Sequence, residues 1–195
     1  MDNETAARLK RYMFAGRNFE QAVLKRKDFR GVNFTCSNFR GADLSGSDFR
    51  GATLINVDLS RACLHNCNFE GADLSGSDMT NVYAKGAKFN KAIMWHTCLK
   101  GGIFKNAMFF DADMVGADMA RAEMLGARFD GARVDGVRNV DRAIFRWFMP
   151  PHGGKPVYDP FPGAVVLTES YMGSWSLQEN SGLGQSGLEY DRRSE

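Results

Sequence analysis

Residues 41–60 read GADLSGSDFRGATLINVDLS, and the spacing within them decides the fold: Leu44, Phe49, Leu54 and Leu59 are large, apolar and five apart. The same period continues upstream through Phe39, Phe34, Phe29, Leu24 and Phe19 to Phe14. Downstream it runs through Leu64, Phe69, Leu74, Met79, Phe89, Met94, Leu99, Phe104, Phe109, Met114, Met119, Met124 and Phe129 to about Val134. Ala84 is the one small member of the series. Two residues before most centres stands a small residue, as at Ala42, Ala52 and Ala62; one before it is often Asp or Asn; two after it is often Gly.

A helix needs apolar residues at 3.6-residue spacing and a simple strand needs alternation at two, so strict fives over this length fit neither. The chain must turn every five residues. Each pentad sends one small and one large residue inward, and Gly relieves the backbone at the bend. No coil of this kind has a core of its own; the core exists only by stacking on the next coil. Phe29, Phe49, Phe69, Phe89, Phe109 and Phe129 recur at twenty, which makes four pentads per turn and a four-sided, all-β solenoid. At a strand-like spacing of about 4.8 Å, about six coils give a rod about 30 Å long with an aromatic ladder along one inner edge. Ala84 interrupts the column Leu24, Leu44, Leu64, Phe104, leaving either a small void or a gap that Phe104 fills.

The repeated pentads, as in Gly41-Ala-Asp-Leu-Ser-Gly46 and Gly71-Ala-Asp-Leu-Ser-Gly76, resemble those of the pentapeptide-repeat family over roughly residues 12 to 140. The resemblance implies a right-handed quadrilateral β-helix. It also implies a macromolecular partner: the best-understood members bind DNA gyrase or topoisomerase IV by resembling duplex DNA and protect against quinolones or other gyrase poisons, and most others are treated as interaction modules.

Composition narrows the choice. Of 195 residues, 44% are hydrophobic and 25% charged, enough for one domain with a short appendage. Lys and Arg number 25 against 23 Asp and Glu, a formal charge of +2 that argues against both a strongly basic nucleic-acid binder and a uniformly acidic DNA mimic. Cys36, Cys63, Cys67 and Cys98 are too few for a secreted disulfide scaffold, and the polar start MDNETAARLKRY offers nothing to a signal peptidase. No apolar run approaches the roughly 18 residues that span a bilayer. The expectation is a cytoplasmic protein.

The ends depart from the pentads. Residues 1–12 read as a short helical cap with Asp2 or Asn3 as N-cap, covering the first coil and its exposed backbone edge. The repeat domain spans 13–140. Residues 141–195 read as a C-terminal cap and partly disordered tail: Arg142-Ala-Ile-Phe-Arg-Trp-Phe-Met149 forms a plug stopped by Pro150 and Pro151, Val165–Thr168 reads as a strand, and 182–195 is polar. This segment offers a route to a homodimer.

No catalytic constellation assembles, because the serines are corner polarity or inward filler and His65, His96 and His152 are the only imidazoles. No phosphate-cradling loop or dinucleotide fingerprint is present; the glycines recur at five because of corners. Cys63-Leu-His-Asn-Cys67 is the best metal candidate. Its register puts Cys63 and His65 outward and Cys67 inward, short of the four convergent ligands that zinc needs. No cofactor and no metal are expected.

Two surface features remain. Asp58, Asp78 and Asp118 fall in one column, interrupted by Cys98, and Asp73 and Asp113 in a second. These carboxylates either imitate phosphates or satisfy corner amides while Arg40, Arg61 and Arg121 neutralise them. In the later coils, outward positions carry Ile93, Trp95, Ile103, Met108, Phe110, Val115 and Leu125, an apolar surface that is covered by the tail or meets a partner. The basic group Lys25, Arg26, Lys27 and Arg30, with Arg50 stacked over Arg30, is offset by Asp28 and Asp48, so direct nucleic-acid binding is not expected. The leading expectation is a non-enzymatic scaffold binding a protein through the later-coil faces, with a DNA-mimicking gyrase or topoisomerase ligand as the alternative.

Overall fold

The computed structural model describes residues 14–146, 165–169 and 175–178. From Asn18 to Arg138 the chain is a stack of coils joined by parallel bridges between residues twenty apart. The first face carries the column Asn18, Asn38, Asp58, Asp78, Cys98, Asp118, Arg138. The second carries Val23, Asp43, Cys63, Tyr83, Ile103, Glu123, and the third Asp28, Asp48, Asn68, Lys88, Met108, Arg128. The fourth carries Asn33, Thr53, Asp73, Ile93, Asp113, Arg133.

One pentad accounts for all its backbone donors. Asn38 N donates to Arg17 O of the coil before (2.9 Å), and Phe39 N (2.7 Å) and Gly41 N (2.9 Å) donate to Asp58 O and Ser60 O of the coil after. Ala42 N closes the turn on Phe39 O at 2.9 Å. The remaining donor, Arg40 N, is met by Asn38 Oδ1 at 2.9 Å. That last bond explains the preference for Asp or Asn before each centre: stacking leaves one corner amide unmet, and a short side chain two residues back reaches it. The same bond forms at Asp28, Asp48 and Asn68.

Corners need the left-handed backbone, which Gly adopts freely and Asn tolerates. Along one column the two alternate as Gly46, Asn66, Gly86, Asn106 and Gly126, and elsewhere other residues also take this conformation. Asn56 (φ 54°) lies over Gly76 (φ 68°), and His96 over Gly116, so closely that a Cβ on either glycine would collide with the side chain above it.

The core is a closed ladder. Phe49, Phe69, Phe89, Phe109 and Phe129 stack with ring centroids 4.9 to 5.1 Å apart and interplanar angles of 10° or less. Ala84 is fully buried, and the fully buried Phe104 ring lies where a side chain on Gly102 would otherwise sit. Small inward polar residues bond to the coil before: Ser47 Oγ donates to Leu24 O at 2.7 Å, and Cys67 Sγ to Leu44 O at 2.9 Å. Burial pushes the Cys67 thiol up to about 12.

The regular spacing ends at a 3-10 turn, Val140–Arg142. Strand β1 (Glu123–Leu125) then pairs in parallel with β2 (Ile144–Arg146) at a spacing of twenty-one, Glu123 opposite Ile144. One extra residue is thus absorbed in the corner. Strand β3 (Val165–Glu169) pairs in parallel with β2, and β4 (Trp175–Gln178) antiparallel with β3, so this part of the tail extends the second face along the rod axis. The expected helix at 1–12 and the polar segment 182–195 lie outside the described residues.

Ion pairs tie adjacent coils. Lys25 reaches Asp43 (2.9 Å), Lys100 reaches Asp118 (3.2 Å) and Lys105 reaches Glu123 (3.2 Å). Hydrogen bonds from Ser45 and Lys25 hold the Asp43 carboxyl down at about 2. Burial pushes Asp118 up, but Asn139, the Ala120 amide and Lys100 outweigh it and hold it below the usual range.

Two outcomes follow. Phe89→Ala removes the middle of the ring ladder and should cost about 3–5 kcal/mol in urea unfolding. Asp43 and Asp118 are more acidic folded than in the unfolded chain, where an Asp titrates near 3.9. The unfolded chain therefore binds more protons in between, so their stabilisation is present above about pH 4 and lost as pH falls through each folded value, which for Asp43 lies at about 2. Replacing both with Asn should flatten the acid limb of the unfolding midpoint; an unchanged limb would assign it to other carboxylates.

Candidate interaction surfaces

The apolar positions singled out in the sequence do not form one surface. Residues five apart point to different sides of a four-sided coil, so the seven divide among three faces. Ile93, Trp95 and Val115 stand together on the fourth face, Met108 and Phe110 lie on the third, and Ile103 and Leu125 lie on the second, opposite the fourth. Trp95 is 47% exposed and Ile93 37%, while Val115 is half-buried one coil further on. Phe110 is half-buried with the Arg128 guanidinium 4.7 Å over its ring. The described strands of the tail continue the second face and do not pair with the fourth.

The acidic residues do form their two columns, but in different states. Asp58 Oδ1 accepts from Ser60 N and Asp78 Oδ1 from Thr80 N, both at 2.8 Å, and Asp73 Oδ1 from Ser75 N at 3.0 Å. These three close no ion pair among the described residues. Asp118 is buried and shared between Lys100, Arg138 (3.8 Å) and Asn139 (2.8 Å), and Asp113 is held by Arg133 at 2.8 Å. The expectation that Arg40, Arg61 and Arg121 neutralise the row needs correcting: none of them closes an ion pair among the described residues. The cation for Asp118 comes instead from Lys100 one coil before and Arg138 one coil after.

The early basic group is compensated only in part: Lys25 pairs with Asp43, while Arg26 and Lys27 close no ion pair among the described residues. Arg30 pairs with Asp28 and Arg50 with Asp48, each at 2.7 Å, and Arg30 also approaches Asp48 at 3.8 Å. Cys67 is buried inside while Cys63 and His65 face out, so the three do not converge; Cys63 Sγ instead lies 3.1 Å from Ser45 Oγ. Among the described residues no group of three His, Cys, Asp or Glu is placed to hold a metal ion. No helix among them is long and apolar enough to cross a membrane.

Tyr83 is the feature that the sequence reading passed over. It is 50% exposed on the second face and lines a groove of about 330 Å³ with Arg61, Asn81, Gly101 and Ile103. The signal was present in the sequence. From Tyr83 through Lys88, Ile93, Cys98 and Ile103 to Met108, six successive pentads forgo the Asp or Asn that the corner amide would use.

Comparison with known proteins bears on this geometry. The family model described as pentapeptide repeats matches residues 16–51, 37–71, 67–106 and 103–138 in 8 copies. Comparison with curated proteins gives no match. Similar solved structures include HetL, a pentapeptide repeat protein involved in heterocyst differentiation regulation from the cyanobacterium Nostoc sp. strain PCC 7120. It is 16% identical, with 79% of this chain and 99% of that chain covered and a TM-score of 0.29. A second Nostoc PCC 7120 pentapeptide repeat protein, alr5209, is 23% identical over 67% of this chain and 91% of that one, with a TM-score of 0.41. Full-length QnrB1, a plasmid-mediated fluoroquinolone resistance protein, is 21% identical over 68% and 74%, with a TM-score of 0.38. With the family model matching most of the chain and the coils repeating every four pentads, the chain belongs to the pentapeptide-repeat family, a membership that implies a right-handed quadrilateral β-helix.

Proposed function

We propose that the protein is a non-enzymatic, cytoplasmic scaffold that binds a protein partner through the fourth face, with Trp95, Ile93 and Val115 as anchors. The observation that carries this reading is the exposure of Ile93 and Trp95 beside the half-buried Val115, where the same face elsewhere carries mostly polar residues such as Asn33, Thr53, Asp73 and Ser75. Isolated exposed apolar residues are ordinary, but a cluster on a rigid face marks an interface. A large aromatic at the centre of such a cluster dominates its binding energy. The surroundings fit a polar rim: Asp73 and Ser75 precede the patch by one coil, and Asp113 follows Ile93 in its column. A partner with an apolar pocket edged by basic groups matches this arrangement. Stacked coils hold the face in shape before binding, which lowers the ordering cost of association. Four free cysteines, Cys36 among them exposed, suit a reducing compartment.

The test compares capture by the wild-type protein with capture by Trp95→Ala combined with Ile93→Ala, followed by titration of any partner that differs. The double variant should weaken that partner at least about thirtyfold, as expected for the loss of about 2 kcal/mol or more. Full-strength binding by the double variant would move the interface to another face.

A second reading, a DNA-mimicking ligand of DNA gyrase or topoisomerase IV, is supported by Asp58 and Asp78, unpaired carboxylates one coil apart on the first face. Charge density weighs against an extended mimic. Duplex DNA carries one charge per about 1.7 Å, or about 17 over a rod about 30 Å long. This chain carries a net +2. Mimicry would thus be confined to a short row. A gyrase supercoiling titration at two salt concentrations tests it: inhibition that weakens with salt and with Asp58→Asn plus Asp78→Asn supports the row, and no inhibition at any ratio removes this reading.

A further inference from the structure

The groove on the second face plays no part in partner binding through the fourth. Asn81 and Gly101 follow Arg61 along the corner between the first and second faces, with Tyr83 and Ile103 beside them on the second. The Asn81 side chain lies over Gly101, which has no side chain to fill the floor. At about 330 Å³ the space is near the lower end of small-ligand sites, which begin at about 300 Å³. It has room for one ring system and one substituent.

Charge and ring access give the ligand class. Arg61 lines the groove beside Tyr83, and Lys85 is exposed on the same face outside the groove's lining. Neither cation closes an ion pair among the described residues, whereas Lys105, one coil after Lys85, is held by Glu123. The ring of Tyr83 is also open. Arg128 covers Phe110, but among the described residues no cation covers Tyr83. An open aromatic face beside an unpaired arginine complements a flat ring carrying an anionic group, because the ring stacks and the cation meets the charge. A purely apolar ligand would leave Arg61 unused, and a simple anion would leave the ring unused.

We propose that this groove binds a phosphorylated aromatic compound of mononucleotide size, its ring stacked on Tyr83 beside Ile103 and its phosphate met by Arg61. The site lies on the face opposite the partner surface and does not depend on it.

The test is a methyl and aromatic NMR titration of the full chain with AMP, adenosine and inorganic phosphate. AMP should give saturable shifts at Ile103 and Tyr83, with adenosine and phosphate each at least about fivefold weaker, a difference of about 1 kcal/mol. Tyr83→Ala and Arg61→Gln should each weaken AMP by at least about fivefold, and Trp95→Ala should leave it unchanged. Both substituted side chains are exposed, and the remaining spectrum reports whether each variant is folded. Absence of saturable shifts at millimolar AMP overturns the proposal, as do identical shifts from phosphate alone or undiminished binding by Tyr83→Ala. A single-stranded oligonucleotide that competes beyond its number of nucleotides overturns the free-ligand assignment in favour of a strand.

Discussion

Each coil completes its hydrogen bonding only by touching the coils on either side, and this dependence governs the rest of the molecule. Within a pentad, one amide donates backward, two donate forward, one closes the turn and one is met by a side chain. No coil can satisfy itself, so stability belongs to the contacts between coils and not to any coil alone. The inward rings of the Phe column follow the same rule: Phe69 stacks on Phe49 of the coil before and Phe89 of the coil after. A stack of this kind must do something at its end. Here the extra residue at Val140–Arg142 lets β2 continue the second face, and β3 and β4 carry the pairing further.

Stacking also separates what the core needs from what the surface may carry. Inward positions are bound by the ladder, and the corners by left-handed backbone. The outward position before each centre has only one structural duty, to meet the corner amide two residues later. Giving up that duty forfeits one bond, a cost of about 1 kcal/mol. At Phe110 the cost is avoided, because Asn90 of the coil before accepts from Phe110 N at 3.2 Å. The run from Tyr83 to Met108 gives up the Asp or Asn repeatedly, and the exposed Tyr83 and Ile93 lie within it. Local rules broken over a continuous stretch, inside an otherwise regular repeat, are where function is expected to have displaced stability.

The period of five, the four sides and the Phe column were legible because each is a statement about inward residues, and inward residues repeat in register. Outward chemistry was less legible. Trp95 and Phe110 are both apolar and exposed in a linear reading, yet fifteen residues place them three faces on, and Phe110 is engaged by Arg128. The partner of Asp118 was missed for a related reason. Arg121 is near it in sequence but occupies a corner, whereas Lys100 and Arg138 stand on the first face in the neighbouring coils. The slip at Val140–Arg142 does mark the apolar spacing, since Val134 is followed at six by Val140 and then at five by Phe145, a shift that a series ended near Val134 passes over.

A rod built this way presents its faces with little means of connecting them. Coupling between distant sites needs an element with two arrangements of similar energy. The ring ladder offers no such element, since its centroids stand about 5 Å apart with nearly parallel planes from Phe49 to Phe129. The second and fourth faces share coils but are divided by that core. A partner on one and a ligand on the other would therefore occupy the rod together, each meeting a surface already formed. What the stack supplies is fixed spacing: it holds different surfaces at set distances and leaves the choice of partner to the outward residues.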